Sequence, residues 1–77
     1  MPVLRKRSIN LSGHATSLAL EQPFWDALTA MAAERSLSMT AIIGEIDQHR
    51  GESALASACR VTALHWALTG HPSDNNS

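Results

Sequence analysis

The chain has 77 residues, 44% hydrophobic and 17% charged, with a formal net charge of −1. That length makes one domain, too short for a large core or a deep catalytic pocket, so association with a second copy is the simplest route to a comfortable stability margin. Cys59 is the single cysteine and cannot form an intramolecular disulfide, no apolar run reaches the roughly 20 residues of a membrane span, and no apolar stretch of secretory type follows Arg5, Lys6 and Arg7, so a cytoplasmic, unexported protein is expected.

The charge is unevenly laid out. Residues 1–20 carry three cations and no acid, and residues 21–77 carry three arginines against seven acids, which gives +3 and −4. A basic segment ahead of an acidic remainder points to an anionic partner, most commonly nucleic acid.

In chain order, residues 1–14 are expected to form a basic arm or an extra strand, residues 15–70 the folded domain, and residues 71–77 a polar, disordered tail. From Ser8 to Glu21 the pattern is extended: Ile9 and Leu11 alternate with Ser8, Asn10 and Ser12, and Thr16, Leu18 and Leu20 alternate with Ala15, Ser17 and Ala19. Gly13-His14 interrupts the pattern, either closing a hairpin or bending one long arm, and residues 15–21 are the better strand. If the leucines point into a core, Ala15, Ser17 and Ala19 point away from it.

Pro23 suits a first helical turn, and Phe24, Leu28, Met31 and Ala32 recur at helical spacing, which predicts a helix over 23–35 with Trp25 in its apolar stripe. Ser36-Leu37-Ser38 breaks that helix. Ser38 is a good N-cap for a second one, whose apolar face is Ile42, Ile43 and Ile46 and which Gly51 ends after about His49. A third stretch, Ala54 to Leu68, is apolar nearly all round and is expected to be buried, with a subunit interface as the natural place.

Catalytic chemistry finds no support. There is no glycine-rich phosphate loop, no nucleophile elbow and no paired carboxylates, and Glu45 and Asp47 face different sides of one helix. His14, His49, His65, His71 and Cys59 lack metal-ligand spacing, and Cys59 reads as a small buried hydrophobe. Neither an enzyme nor a metal or other cofactor is expected.

The order strand, helix, short turn, serine-capped helix over residues 15–49 resembles the ribbon-helix-helix family, to which the Arc and methionine repressors belong. The strings Lys6-Arg7-Ser8-Ile9, Gly13 to Glu21, Phe24 to Leu28, Ser36-Leu37-Ser38, Ile43 to Asp47 and Arg50-Gly51 are similar to a bacterial subfamily of short ribbon-helix-helix proteins. The resemblance implies a mainly α fold with a short N-terminal β-strand and an additional C-terminal helix. It implies an intertwined homodimer in which one strand from each subunit forms an antiparallel ribbon that enters the DNA major groove. Ala15, Ser17 and Ala19 would then face the bases, although ribbon readers usually place Arg, Lys, Asn, Gln or Thr there. Ser38, Met39 and Thr40 at a helix N-terminus, with Arg5, Lys6 and Arg7, would contact phosphates. Leu18, Leu20, Trp25, Leu28, Ile42, Ile43 and Ile46 would form the dimer core. The expected function is a dimeric transcriptional regulator of repressor type that binds double-stranded DNA, with higher oligomers on DNA left open. The alternative is a dimeric protein-interaction module or antitoxin-like adaptor of the same fold.

Overall fold

A computed structural model describes residues 3–69, in the order β1 (Leu4–Leu11), β2 (His14–Glu21), α1 (Gln22–Glu34), α2 (Met39–His49) and α3 (Leu55–Leu68). Gly70 and the tail expected to be disordered, 71–77, lie outside the described residues.

β1 and β2 form an antiparallel hairpin whose register runs from Leu4 opposite Glu21 to Leu11 opposite His14. Its two-residue loop, Ser12-Gly13, has φ values of 52° and 84°. Two consecutive left-handed residues make the tight turn whose twist matches that of paired strands, and glycine takes the second place at no steric cost. Two sequence expectations change here. Extended structure begins at Leu4, in a basic stretch with no apolar alternation to announce it, because the ladder with β2 holds it. The ribbon expected between two subunits is also completed within one chain, so a single copy already presents two paired strands.

α1 begins one residue before Pro23 and ends in a Schellman turn, with Ser36 N–H donating to the Ala33 carbonyl at 3.2 Å and Leu37 N–H to the Ala32 carbonyl at 2.8 Å. Ser36 occupies the left-handed position at φ 57°. The Ser38 hydroxyl caps α2 by accepting from the Ala41 N–H at 3.0 Å.

Ile9, Leu11, Leu18 and Leu20 bury one face of the hairpin against Trp25, Leu28, Met31 and Ala32 of α1, Ile42, Ile43 and Ile46 of α2, and Cys59 and Ala63 of α3. All seven residues expected in a dimer core are thus inside the core of one chain. Trp25 anchors it: the ring is fully buried and its Nε1 donates to the Arg5 carbonyl on β1 at 2.9 Å. Cys59 is equally buried, and burial pushes its thiol up to about 11. α3 departs from expectation. Only Cys59 and Ala63 of this helix are buried, while Val61, Leu64 and Leu68 are 64%, 54% and 77% exposed, because α1, α2 and β2 all pack on one side of it.

Candidate nucleic-acid interface

The hairpin has two chemically distinct faces, and the alternation of side chains along each strand fixes which residue lies on which. Ile9, Leu11, Leu18 and Leu20 define the helix-facing side. The register therefore sets Lys6 opposite Ala19, Ser8 opposite Ser17 and Asn10 opposite Ala15 on the outward side. Ala15, Ser17 and Ala19 lie on the face where the sequence placed them. Reasoning from one strand missed their neighbours: Lys6, Ser8 and Asn10 supply the cationic, hydroxyl and carboxamide groups that β2 lacks. A two-residue loop read firmly as a hairpin at Ser12-Gly13 would have located them.

The basic run is divided between the faces. Lys6 points outward, whereas Arg5 and Arg7 share the side of Leu18 and Leu20. All three cations are held in the strand ladder, and the Arg7 guanidinium lies 4.6 Å from the centroid of the Trp25 ring.

Elsewhere the arginines are neutralised. Arg35 pairs with Glu45 at 2.9 Å, Arg50 with Asp47 at 2.6 Å and Arg60 with Glu21 at 2.9 Å. The hydrogen bond from Arg60 holds the Glu21 carboxyl below its usual range and keeps this acid, at the end of β2, engaged with α3. Among the described residues no ion pair reaches Arg5, Lys6 or Arg7, so these three hairpin cations are not neutralised by any described acid.

At α2, Ser38 Oγ takes the Ala41 N–H and the Ser38 carbonyl takes the Ile42 N–H at 3.0 Å. The backbone N–H groups of Met39 and Thr40 have no acceptor within their own helix, and the positive end of the helix dipole lies there. No cluster of His, Cys, Asp and Glu among the described residues could hold a metal ion, and no described helix is long and apolar enough to cross a membrane.

A model of the ribbon-helix-helix domain matches residues 4–67, from the start of β1 nearly to the end of α3. The chain belongs to the ribbon-helix-helix family. A solved structure of an uncharacterized protein from Bordetella pertussis Tohama I is similar to it, with 36% identity and a TM-score of 0.76, over 97% of this chain and 67% of that one. No curated protein matches significantly. Ribbon-helix-helix proteins are generally DNA-binding regulators or antitoxins.

Proposed function

We propose that this protein is a transcriptional regulator that binds duplex DNA as a homodimer and lays the outward face of its β1–β2 hairpin in the major groove. The observation that carries this reading is the concentration of unpaired cations on the same hairpin whose outward face offers Lys6, Ser8, Asn10 and Ser17. A two-stranded ribbon fits the major groove, which is about 12 Å wide. A carboxamide such as Asn10 pairs in bidentate fashion with adenine, and an ammonium such as Lys6 pairs with guanine acceptors. Ala15 and Ala19 leave room for close approach and can touch thymine methyl groups.

Arg5 and Arg7 at the edge of the ribbon, with the Met39 and Thr40 N–H groups behind Ser38, would grip phosphates and set register without reading sequence. The work of this protein is binding rather than turnover, in a cytoplasmic setting, with no cofactor.

Selection from random duplex DNA at two salt concentrations tests the reading. A salt-sensitive complex enriched in a short, two-fold symmetric sequence is the expected result. Absence of binding at low salt would overturn it in favour of a protein-interaction module or antitoxin-like adaptor, a role for which the exposed apolar side of α3 is the available surface.

A further inference from the structure

The outward face of the hairpin is divided unequally between its strands. On β1 it carries Leu4, Lys6, Ser8 and Asn10, and on β2 it carries Ala15, Ser17 and Ala19, with Glu21 at the strand's end. The register sets each long polar side chain against an alanine, Lys6 opposite Ala19 and Asn10 opposite Ala15, while Ser8 faces Ser17 at the centre. Opposed side chains of an antiparallel pair are only about 5 Å apart at Cβ, so this face is a ridge along β1 beside a shelf along β2.

The ridge is uncommitted within the chain. Among the described residues, no side-chain hydrogen bond or ion pair engages Lys6, Ser8 or Asn10. At the end of the row the Glu21 carboxylate is held by Arg60 of α3 at 2.9 Å, which leaves Leu4, 53% exposed, as the apolar end of the ridge.

We infer that sequence recognition resides in β1 rather than in β2, and that the ridge selects an A·T, a G·C and an A·T pair in the order Leu4, Lys6, Asn10. This assignment deepens the regulator reading above and rests on it for the place of the hairpin in the major groove. β2 leads directly into α1, and the family resemblance sets its outward residues against the bases. Only Ser17 among them has a side chain that can hydrogen-bond, and a hydroxyl serves several bases alike.

Chemistry gives the site its composition. The Lys6 ammonium only donates, and guanine alone offers two acceptors, N7 and O6, to the major groove. The Asn10 carboxamide both donates and accepts, which matches the N6 donor and N7 acceptor of adenine. Leu4 has no polar group and suits a thymine methyl.

Spacing sets the order and the limits. A strand rises about 3.4 Å per residue and B-DNA about 3.4 Å per base pair, so Lys6 and Asn10, four residues apart, reach bases at most about four steps apart. The separation is smaller where the ribbon follows the slant of the groove. Leu4 lies two residues beyond Lys6 on the other side, which sets its A·T pair within about two steps of the G·C pair.

Selection from random duplex DNA with the full chain and its variants tests this assignment. The wild type is expected to enrich a half-site in which one G·C pair is flanked by A·T pairs at these spacings. The exchange variant Lys6→Asn/Asn10→Lys keeps composition and charge and is expected to move the G·C pair to the Asn10 end of the half-site. Ser17→Ala is expected to enrich the wild-type sequence. An exchange variant that still selects the wild-type sequence, or a Ser17→Ala variant that loses it, overturns the assignment. If circular dichroism shows that the exchange disturbs folding, the single variants Lys6→Ala and Asn10→Ala decide. Discrimination is then expected to fall at least about fivefold at the G·C pair alone and at one A·T pair alone, and unchanged discrimination at both overturns the assignment. A wild type that binds no DNA defeats the regulator reading and this assignment together, whereas a wild type whose selected sequence survives the exchange defeats this assignment alone.

Discussion

The Arg7 guanidinium stacks 4.6 Å from the centroid of the Trp25 ring, while the Nε1 of the same ring donates to the carbonyl of Arg5, so one buried tryptophan holds the basic strand to α1 at two points. Trp25→Ala removes the packing and both of these interactions and is expected to cost about 3–5 kcal/mol. Trp25→Phe keeps much of the packing but leaves the Arg5 carbonyl without its donor, at about 1 kcal/mol. Urea unfolding of the two variants checks the order.

The Arg7 side chain has a structural partner and no ion pair or ring contact engages the side chains of Arg5 and Lys6 among the described residues, which separates two effects that a triple substitution would merge. Arg5→Ala/Lys6→Ala should leave stability nearly unchanged and flatten the salt dependence of DNA binding by about 0.9 in log–log slope for each phosphate no longer neutralised. Asn10→Ala should relax sequence preference at one base pair by about 1–3 kcal/mol and leave the slope unchanged. Equilibrium titrations over a salt series read both.

Ser38 joins a cap to a proposed phosphate grip. Ser38→Ala is expected to cost about 1 kcal/mol of stability through loss of the bond to the Ala41 N–H. Ser38→Asp preserves the cap yet places a negative charge where phosphate would sit, so it should retain the melting temperature and lose DNA affinity. Equal affinity of Ser38→Asp and wild type would remove the N-terminus of α2 from the interface.

Ser36 ends α1 in a left-handed conformation at φ 57°, which costs a side-chain-bearing residue about 1 kcal/mol relative to glycine. Ser36→Gly should therefore raise stability by about 0.5–1 kcal/mol without altering DNA binding. Thermal unfolding is the direct measurement.

The Cys59 thiol, raised by burial from 9.0 to about 11, binds its proton more tightly in the folded chain than in the unfolded one. Stability from this site is complete below pH 9 and declines as pH rises toward 11, because the unfolded thiol ionises first. The loss amounts to about 3 kcal/mol at most, and Cys59→Ala should abolish this alkaline component while costing stability at neutral pH. Unfolding measured from pH 8 to 11 on both proteins shows whether the slope disappears.

The helices were legible in the sequence because their signals are local. Pro23 at a first turn, Ser38 as a cap, and the spacing of Leu28, Met31 and Ala32 and of Ile42, Ile43 and Ile46 each act within one or two helical turns. The alternation of Leu18 and Leu20 with Ala15, Ser17 and Ala19 likewise fixed which side of β2 faces outward. Leu4 to Arg7 gave no such signal, since their strand conformation depends on a partner strand that lies up to 17 residues away in the register with Glu21.

By itself, then, the sequence determined the fold family, the helix positions, the absence of catalytic and metal-ligand patterns, and the orientation of β2, since each follows from short-range periodicity and residue chemistry. Tertiary structure alone decided that the ribbon closes within one chain, that Lys6, Ser8 and Asn10 join Ser17 on its outward face, that Arg5 and Arg7 turn to the other side, and that α3 keeps an apolar stripe exposed. Those outcomes depend on which surfaces meet across the chain, and the pairing energy that selects them is not written in the periodicity of any single segment.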